Sequence, residues 1–129
     1  MAESSKSNAP RIKTAFMIIL TVGLAFPAVG LAQINILHEF AGGVGDGANP
    51  DNGALVVDGG AIYGTAANDG AHGWGTIYTL GTDGSGYTLL HEFASGAGDG
   101  RNASNPMILD GTTLYGTTVS GGLSNVGVV

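Results

Sequence analysis

A four-residue motif that occurs twice constrains the fold of this chain more than any other feature. Leu-His-Glu-Phe occupies residues 37–40 and returns 53 residues later at 90–93. Two further motifs recur at nearly the same spacing: Gly-Asp-Gly at 45–47 and 98–100, and Tyr-Gly-Thr at 63–65 and 115–117. A period near fifty residues is typical of blade-like repeats such as those of propellers. The sequence therefore predicts a chain built from repeated units.

The first 32 residues have the composition of a secretory signal peptide. A short charged segment with three basic residues precedes residues 14–32, which carry no charge. The dense apolar part runs from Ala15 to Phe26. It is therefore shorter than the ~20 residues that a membrane-spanning helix needs. Small residues, Gly30 and Ala32, stand three and one positions before Gln33, as a cleavage site requires. We predict export with cleavage before Gln33; the alternative is an uncleaved signal anchor.

The charge balance restricts the partners of the exported segment. Arg101 is the only basic residue after Ala32, against nine acidic residues, and the whole chain carries a net charge of -6. Nucleic acids and anionic lipids are bound mainly by Lys and Arg, so both are unsuitable partners. The predicted partners are a surface ligand of unknown identity or neighbouring repeats. Membrane contact is expected only through the signal peptide or a carboxy-terminal anchor that this sequence lacks. No cysteine is present, which excludes a disulfide framework.

Glycine-rich segments after the signal peptide disfavour helices and separate short apolar runs. Each Gly inside a helix costs about 1 kcal/mol relative to Ala. The runs are rich in β-branched and aromatic residues, which favours strands. We predict eight strands, at residues 34–40, 54–57, 61–66, 76–80, 87–93, 107–109, 113–118 and 126–129. Asp-Gly pairs at 58–59, 83–84 and 110–111 predict hairpins, so the strands that they join should be antiparallel.

These strands predict an all-β fold of antiparallel, four-stranded, blade-like repeats of the β-propeller type. Residues 1–32 are the signal peptide, and 33–53 hold an amino-terminal strand and a glycine-rich loop. Residues 54–106 are the first full repeat, and 107–129 are a truncated second repeat. Fewer than two full repeats cannot close a ring of about four to eight blades. We therefore expect the chain to be a fragment of a longer protein.

Several motifs together resemble a known tandem repeat. They are Leu-His-Glu-Phe, Gly-Asp-Gly-Ala-Asn-Pro at 45–50, Gly-Thr-Ile-Tyr-Thr-Leu at 75–80 and Leu-Tyr-Gly-Thr-Thr at 114–118. Nearly everything after Gln33 resembles the GloVer (Gloeo/Verruco) repeat of exported bacterial proteins. The resemblance implies a secreted, propeller-like array, often followed by a sorting anchor, and it implies no catalytic residues. This chain departs from the pattern in having few repeats and no anchor segment.

The His-Glu pairs at 38–39 and 91–92 invite a catalytic interpretation. Neighbours on a strand point to opposite faces, so neither pair can act as a dyad within its strand. We expect His91 to share a face with Leu89 and Phe93, to pack beside the Phe and to hydrogen-bond a neighbouring backbone. The sequence also lacks a Gly-x-Ser-x-Gly elbow and a P-loop. No catalytic residue is predicted.

Two loop features suggest ligand binding, each with a structural alternative. Oxygen-bearing side chains after the Leu-His-Glu-Phe motifs could bind calcium, although Asp, Asn, Gly and Pro also simply form turns. The candidate ligands are Asp46, Asn49 and Asp51 in the first copy, and Asp99, Asn102 and Asn105 in the second. Trp74 stands where the second copy has Val126. It is either a sugar-stacking aromatic or a loop plug, and we expect the plug.

The predicted function is a secreted or cell-surface repeat module with a binding or structural role. The alternative is a fragment of a hydrolase or lyase that acts on extracellular polysaccharide, which rests on fold alone. An enzyme should carry its carboxylate or His in one repeat only, whereas a scaffold should carry equivalent residues in every repeat. The conspicuous polar residues here are mostly duplicated, which favours the scaffold.

Overall fold

The computed structural model of the chain describes residues 33–50 and 53–129. The predicted signal peptide and the calcium candidate Asp51 therefore lie outside the described residues. Within these ranges the chain is all-β, with strands paired antiparallel in four sheets, as predicted. The strands are β1 (Gly47–Ala48), β2 (Val56–Asp58), β3 (Ala61–Ala66), β4 (Asn68–Asp69), β5 (Thr76–Gly81), β6 (Thr88–Glu92), β7 (Gly100–Arg101), β8 (Ile108–Asp110), β9 (Thr113–Tyr115) and β10 (Ser120–Gly121). The described part of the chain contains no helix able to cross a membrane.

A four-stranded antiparallel sheet in the order β2-β3-β5-β6 forms the largest element. Its strands overlap the four predicted for residues 54–93, and the bounds of β3 agree with the prediction. All six residues of β3 pair with β5. Asp58 pairs with Ala61, so Gly59 and Gly60 alone form the turn between β2 and β3. Their φ angles are 54° and 86°. Positive φ at both central residues suits the tight hairpin turn that the sequence predicts here.

A β-bulge in β6 changes which side chains share a face. Ile77 lies opposite His91, whereas the next residue of β5, Tyr78, lies opposite Leu89. Leu90 is therefore an extra residue without a partner on β5, which reverses the alternation of side chains along the strand. The predicted common face for Leu89 and His91 is wrong for this reason.

Two of the eight predicted strands are absent from the described residues. Residues 34–40 make no ladder, because their contact with the sheet is through side chains: Leu37 and Phe40 pack on the cluster of Ile62, Tyr78 and Leu80. At residues 126–129, the carbonyl of Val128 accepts a hydrogen bond from the Thr118 amide at 3.1 Å, without a continuing ladder. Apolar, β-branched composition alone therefore does not make a strand where backbone pairing does not follow.

The hairpin of β8 and β9 repeats the register of β2 and β3. Ile108 pairs with Tyr115 and Asp110 with Thr113, as Val56 pairs with Tyr63 and Asp58 with Ala61. The two-residue strands repeat in the same way, because β1 pairs with β4 as β7 pairs with β10. The sequence does not predict these four short strands, since Gly, Asn and Asp predominate in them.

Apolar side chains cover both faces of the four-stranded sheet. On the first face the buried residues Ile62, Tyr78 and Leu80 contact Leu37 and Phe40. On the second face, residues of the sheet line a cavity together with residues of the following segment: Thr65, Ile77 and Phe93 with Ala103, Met107 and Leu114. Full burial of such an aliphatic or aromatic side chain contributes roughly 1.5–3 kcal/mol. The sheet thus packs against Leu37 and Phe40 on one face and against residues of the 103–114 segment on the other.

Gly75, just before β5, lies where the backbone packs closely against the end of β3. Its φ is 100°, and an added Cβ would lie 2.5 Å from the Ala66 carbonyl oxygen. Gly73 has a similar φ of 77° with nothing within 4 Å of its Cβ position. We expect Gly73→Ala to cost about 1 kcal/mol through backbone strain, and Gly75→Ala about 2–4 kcal/mol because the clash adds to that strain. Urea unfolding measures both, and equal losses would contradict the close contact.

Candidate functional site

Asp46 fixes the loop that follows the first Leu-His-Glu-Phe motif. Its carboxylate accepts hydrogen bonds from the backbone amides of Ala41 at 2.7 Å and Gly47 at 2.8 Å. The imidazole Nε2 of His38 lies 3.2 Å from the same carboxylate. We call this set of contacts, around His38 and Asp46, the first histidine clip. It holds the two ends of the glycine-rich loop 41–47 together.

His91 and Asp99 form a second histidine clip with the same geometry. The imidazole Nε2 lies 3.1 Å from Oδ1 of Asp99. The carboxylate accepts hydrogen bonds from the amides of Ala94 and Gly100, both at 2.8 Å. In each clip the imidazole also meets a Phe ring edge-on, at 4.7 Å between centroids, Phe40 in the first and Phe93 in the second.

The clips bear out one part of the prediction for the histidines and correct another. Each imidazole packs beside a Phe, as predicted for His91. The hydrogen-bond partner, however, is a carboxylate eight residues later and not a neighbouring backbone group. A paired Asp gives a stronger, charge-assisted contact than a carbonyl does. The sequence contains a signal for it, because His and Asp recur together at the same separation in both copies.

Tyr87 makes the first clip more enclosed than the second. Its hydroxyl donates a hydrogen bond to Oδ1 of Asp46 at 2.8 Å. Its ring stacks on the imidazole of His38 at 3.7 Å, with an interplanar angle of 5°. The side chain of His38 is consequently 22% exposed, whereas that of His91 is 46% exposed. The second clip lies open to solvent on the side that Tyr87 covers in the first.

The first clip holds its carboxylate in the ionised form. Burial by itself raises the pKa of Asp46, but hydrogen bonds outweigh it and lower the pKa to about 2; the donors are the Ala41 amide, the Tyr87 hydroxyl, His38 and the Gly47 amide. In turn, burial and the hydrogen bond to Asp46 raise the pKa of Tyr87. Tyr87 therefore stays protonated and remains a donor to the carboxylate.

The second clip shows the same balance. Burial opposes ionisation of Asp99, but the Ala94 amide, His91 and the Gly100 amide lower its pKa overall. A catalytic triad would place a hydroxyl or thiol nucleophile at the imidazole. Both imidazoles instead contact a carboxylate and aromatic rings. The arrangement suits holding a loop closed.

Most calcium candidates in the described residues make contacts within the protein. Asp46 and Asp99 belong to the clips. Asn102 donates its side-chain amide to the carbonyl of Ala67 at 3.0 Å, and Asn105 donates to Oγ1 of Thr117 at 2.9 Å. Asn49 and Asn102 both have positive φ, 54° and 53°, which Asn tolerates in turns. Calcium binding by these residues, with Asp51, stays a prediction.

Among the residues that the structure describes, no three acidic or histidine side chains lie close enough together to hold a metal ion. Amide and carbonyl oxygens are also calcium ligands, so this observation concerns only one kind of site.

Trp74 and Arg101 form a contact that the sequence does not predict. The guanidinium carbon lies 4.8 Å from the centroid of the indole ring, and Nε of Arg101 donates to Oγ of Ser120 at 2.9 Å. The Trp74 carbonyl accepts a hydrogen bond from the backbone amide of Asn102 at 2.8 Å. Trp74 as a whole is 37% exposed. Trp74 is therefore neither a buried plug nor a bare platform, because a cation covers part of the ring while part faces solvent.

Comparison with protein-family models, curated proteins and solved structures gives no match for this chain. Its function is therefore argued from the residues and contacts above.

Asp46 links stability to pH. Its folded pKa of about 2 lies below the ordinary value of 3.8. Its contribution to stability should thus be fully present above about pH 4 and be lost as the pH falls through about 2. We expect Asp46→Asn to show a smaller loss of unfolding free energy across this window than the unsubstituted protein, measured by urea unfolding from pH 5 to pH 2. Asp58→Asn, which keeps a residue suited to its turn, is the control. Equal acid sensitivity of Asp46→Asn and the unsubstituted protein would contradict the clip.

Proposed function

We propose that this chain is an exported or cell-surface structural and binding module built from blade-like, propeller-type repeats of the GloVer kind. The observation that carries the proposal is the duplication of the histidine clip. His38 with Asp46 and His91 with Asp99 make the same contacts at the same positions of the repeat. A group that every repeat needs for its own loop is a structural group, because an active site is required only once.

The packing of Phe40 and Phe93 supports successive sheets that stack face to face. Phe40, beside the first clip, packs on the first face of the four-stranded sheet. Phe93, beside the second clip, lines the cavity between that sheet and the hairpin that contains Leu114. Each clip thus fixes a Phe that contacts the next layer. This is the arrangement that a propeller-type array needs, since neighbouring blades bury their faces against each other.

Residues present in one copy only are the best candidates for ligand contact. Trp74 and Arg101 correspond to Val126 and Ala48 in the other copy. Neither residue is required by the repeat itself, yet the two lie together at the loop end of the sheet, with the indole partly exposed. An aromatic ring beside a guanidinium offers an apolar surface and hydrogen-bond donors to an extracellular ligand. We propose this pair as the binding part of the module.

The structural role of the clips predicts a loss of stability when an imidazole is removed. His91→Ala removes the contacts with Asp99 and Phe93, and we expect a loss of about 1–2 kcal/mol, which lowers the melting temperature by roughly 4–16 °C in a domain of this size. His38→Ala should cost at least as much, because its ring also stacks on Tyr87.

His72→Ala is the matched control for both histidine variants, since His72 is exposed in a loop. We expect its melting temperature to change little. If His38→Ala and His91→Ala were as harmless as His72→Ala, the imidazoles would not be structural and the proposal would lose its main support.

Export predicts a defined amino terminus. When the full chain is produced in a bacterial host, the protein outside the cytoplasm should begin at Gln33, because Gly30 and Ala32 provide the small residues before the cleaved bond. Intact-mass measurement identifies the terminus. Ala32→Trp, which places a large residue beside that bond, should block cleavage there. Full-length protein retained in the cytoplasm would contradict export.

A further inference from the structure

Arg101 stands on a backbone framework that both copies build. In the first copy the carbonyl of Asn49 accepts a hydrogen bond from the amide of Ala67 at 3.1 Å. In the second copy the carbonyl of Asn102 accepts one from the amide of Val119 at 3.3 Å, at the equivalent positions. The framework therefore recurs, whereas the arginine beside it occurs in one copy only. A side chain that varies on a constant framework is well placed to select a ligand.

The guanidinium of Arg101 is oriented by the protein itself. Its Nε donates a hydrogen bond to Oγ of Ser120 at 2.9 Å, and its carbon atom lies 4.8 Å from the centroid of the Trp74 ring. The amide of Asn102 binds the carbonyl of Trp74 at 2.8 Å, which joins the backbones that carry the two side chains. Groups held in this way lose little conformational entropy when a ligand binds.

Arg101 is not neutralised by the acidic residues of its own chain. It is the only Lys or Arg after Ala32, against nine acidic residues. The ion pairs in the described part of the chain are those of the two histidine clips, and Arg101 belongs to neither. The hydrogen bond to Ser120 uses Nε and leaves the two terminal nitrogens to donate elsewhere. Their planar N–H groups match the two oxygens of a carboxylate.

Trp74 offers an apolar surface beside this cation. It is 37% exposed, and the preceding residues 71–73 of the same loop, Ala-His-Gly, are exposed as well. The loop therefore provides one aromatic ring and no broad apolar surface around it. A single ring of this size suits a compact ligand with an apolar face, such as the C–H face of a sugar.

We propose that Trp74 and Arg101 bind a uronate residue of an extracellular acidic polysaccharide. The carboxylate pairs with the guanidinium, and the sugar ring lies against the indole. This inference rests on the proposed function, in which the same two residues are the binding part of the module. Nucleic acids and anionic lipid surfaces require several cations, and a protein partner requires roughly 800 Å² of surface on each side. One cation beside one aromatic ring fits a uronate better than any of these.

Trp74 is the only tryptophan of the chain, so its fluorescence reports on this site directly. The test is titration of the full chain with short oligomers of galacturonate, glucuronate and mannuronate at physiological ionic strength. We expect a saturable change in fluorescence with at least one of them. The methyl ester of that oligomer keeps the sugar ring and loses the charge. It should bind at least about tenfold more weakly, because hydrogen bonds to a charged acceptor are the stronger ones.

Two variants remove the two halves of the site. Arg101→Gln should weaken binding of the uronate at least about tenfold, since the charge-assisted pair is lost. Trp74→Ala removes the fluorescent reporter, so its affinity is measured by calorimetry, and we expect a loss of about tenfold because the aromatic contact is absent. Circular dichroism establishes that each variant is folded. The comparison of acid with ester needs no variant and therefore does not depend on that result.

Val57→Asp is the matched control for charge. It makes the protein more acidic by one unit, as Arg101→Gln does, at a residue that is 61% exposed. Val57 pairs with Ile62 near the β2–β3 turn, whereas Gly75, next to the site, packs against Ala66 at the other end of β3. We expect Val57→Asp to bind the uronate like the unsubstituted protein.

The outcomes separate this inference from the proposed function. Absence of a saturable response to all three uronates, equal affinity for acid and ester, or equal effects of Val57→Asp and Arg101→Gln would each overturn uronate binding. If the ester bound as well as the acid and Trp74→Ala abolished both, the pair would remain the binding part of the module with a neutral ligand. The stability of His91→Ala tests the structural part independently of any ligand.

Discussion

The hydrogen bonds from backbone amides to the carboxylates of Asp46 and Asp99 are the contacts on which the ordered loops depend. Glycine-rich segments lose more conformational entropy on folding than any others, and they have few side chains with which to compensate. One carboxylate that accepts two amides and contacts an imidazole fixes both ends of such a loop. Ionisation makes each of these bonds stronger, and the lowered pKa of Asp46 is the same effect expressed as a proton equilibrium.

Fixing the loop also orients the residues just before it. His38 and Phe40 stand two positions apart and meet edge to face, as His91 and Phe93 do. A clip that holds the imidazole therefore also directs the Phe toward the apolar cluster that it covers. Phe40 contacts Tyr78 at 5.2 Å between ring centroids, in a tilted-edge arrangement that aromatic pairs favour. Local polar contacts and long-range apolar packing are coupled through one short motif.

The sequence predicts the central sheet well because its signals there are local. Short apolar runs predict β2, β3, β5 and β6, and the Asp-Gly turns predict the antiparallel pairing of β2 with β3 and of β5 with β6. The bulge at Leu90 is not visible in that pattern, because it depends on the pairing of β6 with β5 and not on composition. The segment 34–40 fails as a strand for a related reason, since a ladder needs a neighbouring backbone and its apolar residues find side-chain contacts instead.

Of the candidate site, sequence reasoning supplies the residues but not their partners. His and Asp stand eight residues apart in both copies, so the clips could have been inferred by comparing the copies. The contact of Trp74 with Arg101 could not, because Val126 and Ala48 stand at the corresponding positions and no comparison of the copies reveals the pair.

This difference between duplicated and unduplicated residues indicates a division of roles within the chain. Some contacts recur in both copies, such as the clips and the hairpin registers. These contacts hold the loops and the paired strands in place. Their recurrence also means that a face built for burial in one copy is built for burial in the next, where Ile108 and Tyr115 lie exposed. Large exposed apolar patches are uncommon on soluble monomers and usually mark contact surfaces. Trp74 and Arg101 are not duplicated and take no part in these recurring contacts, so either residue can change without disturbing that packing.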